Sequence, residues 1–118
     1  MFRTNDSDNE FRFGDNGPKY LCRGPRSDFG IVVLKPGQDF QAHMHEHIEE
    51  AFYTVEGEVH LYCNGELNVL SVGDYIRCDP GEVHYVVNKG NVDWKAVFVK
   101  SPYDPKDGVN VDWKPEEV

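Results

Sequence analysis

Gly37-Gln-Asp-Phe-Gln-Ala-His43-Met44-His45-Glu46-His47-Ile48-Glu49-Glu50-Ala51-Phe52-Tyr53-Thr54-Val55-Glu56-Gly57 is the stretch on which the reading of this chain turns. Three His and three acidic residues fall between His43 and Glu50. On either side of them lie runs with strand character, 40–45 and 51–55. Side chains two apart in a strand point the same way. His43 and His45 therefore share a face, about 7 Å apart along the chain, with Ala42 and Met44 on the other side. Imidazole and carboxylate together suit a borderline transition metal. A carboxylate at the start of the second run completes such a set. Parity alone leaves Glu49 and Glu50 as competitors, because Glu50, Phe52 and Thr54 share one face and Glu49, Ala51, Tyr53 and Val55 the other.

Outward from this stretch, short strand-like runs alternate with turn signals. They cover 20–23, 29–35, 59–63, 66–70, 75–78, 83–88 and 94–100. Asn64-Gly65 between two of them is a strong hairpin signal, and Pro36-Gly37, Gly73-Asp74, Pro80-Gly81 and Lys89-Gly90-Asn91 break the others. No helical period of any length is present. The pattern predicts an all-β sandwich or barrel with its core over residues 28–100. Residues 1–19 read as a loose polar arm, and 101–118 as a proline-broken tail that Trp113 tacks onto the barrel.

At 118 residues the chain is expected to be a single domain, 1–118, and 39% hydrophobic with 13% aromatic residues is enough to fill a core. A net charge of −9 argues against nucleic acid and anionic membranes as partners. No apolar run is long enough for a membrane helix, and no secretory h-region is present, so a cytoplasmic location is the expectation. Cys22, Cys63 and Cys78 form neither a disulfide framework nor a zinc knuckle, and Cys63 and Cys78 read as small apolar fillers in strands.

A fourth imidazole follows the Pro80-Gly81 turn, where His84, Val86 and Asn88 share a strand face. At this point the spacings resemble a known family. Gly37, five residues, His43-Met44-His45, four residues, Glu50, six residues, Gly57 is similar to the first motif of the cupins. Gly73, seven residues, Gly81, two residues, His84, three residues, Asn88 is similar to the second, with Asp79 standing where the family has proline. The turn is expected to survive that departure with altered geometry. The 15 residues between the motifs match the short spacing of microbial members.

The resemblance covers about residues 28–100 and implies a cupin-type double-stranded β-helix, a jelly-roll barrel. It implies His43, His45, Glu50 and His84 as ligands of one divalent transition ion per chain: iron, manganese, nickel, zinc, cobalt or copper. It favours Glu50 over Glu49, and implies a homodimer formed through residues 1–30 by strand exchange or by sheet packing. Strand parity adds Gln41, Phe52 and Val86 as pocket-lining residues, with Phe98 as a further part of the barrel wall and His47 at the barrel mouth. Arg77 is a candidate for a substrate carboxylate, against the plainer role of a surface ion pair. Tyr53 and Tyr85 fall opposite the ligand-bearing face and are read as packing residues, and His60 as outward-facing.

The expected function is that of a small-molecule enzyme. Either a redox metal supports dioxygenation, or a Lewis acid supports isomerase, lyase or cyclase chemistry on a polar metabolite. The presence of Glu50 weakens the resemblance to thiol dioxygenases. The alternatives are a non-catalytic metal-assisted ligand binder or sensor, and a barrel that keeps its metal only as structure. They differ in whether a further functional group stands beside the open side of the metal site.

Overall fold

The computed structural model describes residues 1–116. Ten strands account for nearly all the regular structure: β1 Gly17–Arg23, β2 Asp28–Leu34, β3 Asp39–Met44, β4 Glu49–Glu56, β5 Val59–Cys63, β6 Glu66–Leu70, β7 Tyr75–Cys78, β8 His84–Val87, β9 Trp94–Ser101 and β10 Val109–Asn110. They form two antiparallel five-stranded sheets in the orders β1-β2-β9-β4-β7 and β10-β3-β8-β5-β6. This is the jelly-roll double-stranded β-helix.

Alternation along the strands decides what lies between the sheets. Val32 and Leu34 of β2, Phe52 of β4, Val59 and Leu61 of β5, Val86 of β8, and Trp94, Ala96 and Phe98 of β9 form one buried cluster. One end of this core is sealed by Trp94, whose indole N–H donates to Thr54 Oγ1 at 3.0 Å, with both residues fully buried. At the same end Gly57 has φ +72°, and a Cβ there would lie 2.2 Å from the Asp93 carbonyl oxygen. That position needs glycine for both reasons. Asn88, also fully buried, donates to the carbonyls of Leu34 and Val92 at 2.9 Å each and accepts from the Gly90 N–H. The Asn of the second motif is thus a structural knot that joins β2 to the β8–β9 turn.

The polar row lies at the other end. Cross-strand register aligns Asp28 of β2, Lys100 of β9, Glu50 of β4 and Cys78 of β7. Both chain ends reach toward this region. The N-terminal arm is more ordered than its composition suggests. It holds a 3-10 turn over Asp6–Asp8 capped by Asn5, and the Asp6 carboxylate meets Lys19 at 2.9 Å. The Arg12 N–H also donates to the Pro18 carbonyl at 2.9 Å.

The tail does more than the single Trp113 contact expected of it. Residues 109–110 add an edge strand to β3, and Trp113 packs on Tyr62 and Tyr85 with ring centroids 5.7 and 6.1 Å away. Tyr85 and Val87 are therefore covered on the outer side while His84 and Val86 face the core, and all of β8 is buried. Tyr85 also donates a hydrogen bond to the Asp39 carboxylate. Among the described residues no helix is long and apolar enough to cross a membrane.

Candidate metal centre

Three imidazoles and one carboxylate converge at the polar end. Glu50 Oε1 lies 3.1 Å from His84 Nε2, 3.3 Å from His45 Nε2 and 3.7 Å from His43 Nε2. One donor atom from each of the four residues falls within 4.8 Å of all the others. His45, Glu50 and His84 are buried, and His43 is the partly exposed member. Register produces this meeting: His43 of β3 pairs with His84 of β8, and Glu50 approaches from β4 of the opposite sheet.

The second nitrogen of each ring decides the chemistry. His43 Nδ1 is 2.9 Å from the Gln41 carbonyl, His45 Nδ1 2.6 Å from the Asp107 carbonyl, and His84 Nδ1 3.2 Å from the Glu82 carbonyl. A carbonyl oxygen only accepts, so each Nδ1 carries its ring proton and donates it. Each Nε2 then presents a lone pair to the same point, beside a carboxylate oxygen. Four such groups facing one another are suited to hold a cation, and backbone carbonyls that set the tautomer in this way are the usual support of metal-binding histidines. The donor set fits a divalent transition ion and does not choose among the metals.

A family model for the cupin domain matches residues 30–100. The chain belongs to the cupin family. Over 84 residues it is 32% identical to the tetracenomycin polyketide synthase protein TcmJ of Streptomyces glaucescens, spanning 70% of this cupin and 56% of that protein. It is 35% identical over 71 residues to an oxalate-binding protein of Thermotoga maritima, spanning 60% and 59%. This chain therefore matches little more than half the length of these curated relatives. A crystal structure of a conserved Klebsiella pneumoniae protein with a double-stranded β-helix domain superposes with a TM-score of 0.80 at 22% identity, covering 96% of this cupin and 99% of that chain.

In this cupin, Glu50 and His45 perturb each other. Burial alone would raise the Glu50 carboxyl, but the bonds with His43, His45 and His84 outweigh it and hold the group well below the ordinary glutamate range. The bond to Glu50 raises His45 above the ordinary histidine value; burial opposes this and the Asp107 carbonyl adds to it. Glu49, by contrast, lies outside the cluster, and its carboxylate meets Arg77 at 3.3 Å.

The open side of the cluster faces a cavity of about 250 Å³, at the small end of ligand sites. His43 and Glu50 line it together with Gln41, Phe52, Val86 and Phe98. Two other candidates do not line it. Arg77 is exposed on β7, whose inward residue is Cys78, and pairs with Asp79 at 2.7 Å and with Glu49. His47 is exposed in the β3–β4 loop, where its backbone N–H is taken by Asp107. Cys78 and Cys63 flank the cluster as free thiols opposite Glu50 and His84 in register, and burial pushes the Cys78 thiol far up.

Four residues near the site escaped sequence reasoning. Lys100, Tyr20 and Arg12 line the cavity. Lys100 shares the parity of Phe98 on β9, so that signal was available. Tyr20 and Arg12 had none, since they depend on how β1 and the arm fold back. Asp107 is the fourth. Its carboxylate accepts the N–H groups of Glu46 and His47 at 2.7 Å and of Ile48 at 2.9 Å, while its carbonyl holds His45. The Asp79-Pro80-Gly81 turn forms without the family's proline. The Glu82 side chain accepts from the Asp79 N–H at 2.6 Å, and Gly81 donates to the His45 carbonyl at 2.7 Å.

Proposed function

We propose that this cupin is a metal-dependent enzyme that performs Lewis-acid chemistry, of the isomerase, lyase or cyclase kind, on a small oxygen-bearing metabolite. The observation that carries this reading is Lys100. Burial works to lower its ammonium, but Glu50, Tyr20 and Asp28 outweigh that effect and keep it protonated beyond the ordinary lysine range. It is the cross-strand neighbour of Glu50 and lines the same cavity as the open side of the cluster. A fixed positive charge therefore faces the place where a coordinated substrate would develop negative charge.

His43, His45, Glu50 and His84 would hold the ion. When bound, it supplies a Lewis acid that polarises a substrate oxygen. Phe52, Phe98 and Val86 give the cavity an apolar wall, which strengthens the electrostatic effect of Lys100. Gln41 can orient a substrate hydroxyl or carbonyl.

A binding role is the second reading, favoured by the likeness to the oxalate-binding protein. Manganese-, zinc- and iron(II)-loaded protein offered catechols, 1,3-dicarbonyls and unsaturated uronates separates the cases. Turnover without oxygen uptake is the expected result. Oxygen uptake on the iron form would replace the proposed chemistry with dioxygenation, and binding without turnover would favour the sensor.

The homodimer suggested by family resemblance finds support in the outer face of the β1-containing sheet. Phe29 (39% exposed), Tyr53 (46%), Tyr75 (62%) and Val99 (37%) lie there on neighbouring strands in register. Light scattering behind size exclusion should give twice the 13.5 kDa chain mass, falling to one chain in Tyr53→Lys. A wild-type monomer refutes the dimer.

A further inference from the structure

We infer that the cavity wall beside the metal cluster, at Lys100 and Tyr20, is a carboxylate site, so that the substrate class is a small acid carrying a hydroxyl or carbonyl oxygen next to its carboxylate. This rests on the reading of the cluster as a metal centre and names what that centre acts on.

The site is built from hydrogen-bond donors. Lys100 Nζ donates to the Tyr20 hydroxyl oxygen at 2.8 Å. With its oxygen engaged as acceptor, Tyr20 has its own hydroxyl hydrogen left to give, and Lys100 keeps further N–H groups. Two donor atoms 2.8 Å apart present an edge to the cavity. Such an edge matches the two coplanar oxygens of a carboxylate. Arg12 adds a second cation to the lining.

The pair is held in place before any ligand arrives. The Tyr20 ring stacks edge-on against Phe98 with centroids 5.2 Å apart, and the Arg23 guanidinium covers its other side at 4.3 Å. Asp28, 4% exposed with no hydrogen-bond partner at Oδ1, lies across from Lys100 in register and outside the cavity lining. Its charge favours the ammonium without occupying the cavity.

Charge balance points the same way. Glu50 is the one carboxylate among the lining residues, against Lys100 and Arg12. A divalent ion at the cluster increases the positive excess, which an acid would neutralise. The cavity is small, and Val32, Phe40, Phe52, Val86 and Phe98 form its apolar wall, so the skeleton joining the two oxygen functions must be short. One end of such a molecule meets the Lys100–Tyr20 edge and the other reaches the side lined by His43 and Glu50.

The test is calorimetry on the full chain loaded with zinc, using glycolate against glycolamide, pyruvate against pyruvamide, and inorganic phosphate. At least one acid should bind about tenfold or more tightly than its own amide, the margin of a charged hydrogen bond. Lys100→Met and Tyr20→Phe should each remove most of that margin while leaving the amide's affinity and the zinc content unchanged. Tyr20→Phe keeps the packed ring, so it remains informative even if Lys100→Met misfolds over Asp28. Equal binding of acid and amide, no binding of any acid, tighter binding of phosphate, or full acid affinity in Tyr20→Phe overturns the proposal. If the wild type retains no metal yet still prefers acids through Tyr20, the metal-enzyme reading fails and the carboxylate site stands.

Discussion

A chain carrying both His43→Ala and His84→Ala is expected to lose its metal, falling from about one transition ion per chain in the wild type to near zero by elemental analysis. His43 and His84 are register partners on β3 and β8, so the double change empties one side of the cluster and leaves only His45 and Glu50. Two ligands on one side do not enclose an ion of this kind. Unchanged metal content in the folded variant would refute the assignment.

The wild type carries a pH signature of the same site. The metal must displace the proton that the raised His45 holds in the metal-free protein. Uptake should therefore weaken as pH falls through the folded-state value of His45, by about tenfold per pH unit for one displaced proton. The stability of the metal-free protein follows from the two shifts with opposite signs. The raised His45 contributes stability that is full below its ordinary value of 6.5 and is lost as pH rises through the folded value. The depressed Glu50 contributes stability that is present above its ordinary 4.5 and lost as pH falls through the folded value. Metal-free protein should thus be most stable between these values, and metal should extend that maximum toward neutral and alkaline pH.

The second large effect is expected at Asp107, a residue that touches neither cavity nor substrate. Three loop N–H groups end on its carboxylate, which they hold below the ordinary aspartate range even though burial would raise it. Asp107→Ala removes both acceptor oxygens and with them all three bonds. Hydrogen bonds to a charged group are worth about 1.5–3 kcal/mol each where water is excluded. Glu46 and His47 are exposed and can turn to water, but Ile48 is 2% exposed and cannot do so readily. The expected loss is about 3 kcal/mol, or a fall of roughly 10 °C in Tm for a chain of this length.

Asp107 is also a positioning residue for the cluster. Its carbonyl receives the His45 Nδ1–H, and the carboxylate anchors the backbone that aims that carbonyl. Metal affinity measured by competition with a chelator should drop by about tenfold or more, the scale seen when a group supporting a metal ligand is lost. Asp107→Asn keeps one acceptor and should fall between the two. A lower Tm with unaltered metal affinity would reduce Asp107 to a loop cap.

How much of this was legible in advance follows from the range of each interaction. His43 and His45 lie two apart on one strand, so parity alone puts them on one face. Glu50 could be preferred to Glu49 only through its distance from Gly57, because two adjacent strand residues have equal claims until the inward face is known. His84 was reachable through the turn at Gly81. The inward role of Phe98 implied that of Lys100 two residues on, yet a lysine in an edge-of-core position reads as solvent-facing until Glu50 and Tyr20 are seen beside it. Arg77 and His47 do not line the cavity: Arg77 pairs with Asp79 on the surface, and His47 is exposed in the β3–β4 loop.

The sequence by itself determined the quantities that are periodic or local: the strands and their turns, the cupin motifs, and the residue types able to hold a metal. Only the tertiary structure decided the tautomers of the three histidines, since each Nδ1–H ends on a carbonyl whose direction depends on the fold, and for His45 that carbonyl lies 62 residues away. It also decided the cavity's chemistry. Tyr20 and Lys100 are separated by 80 residues and meet because both β1 and β9 flank β2 in one sheet. Contacts of that range carry no spacing rule, because the loop lengths between them can vary without changing which strands pair.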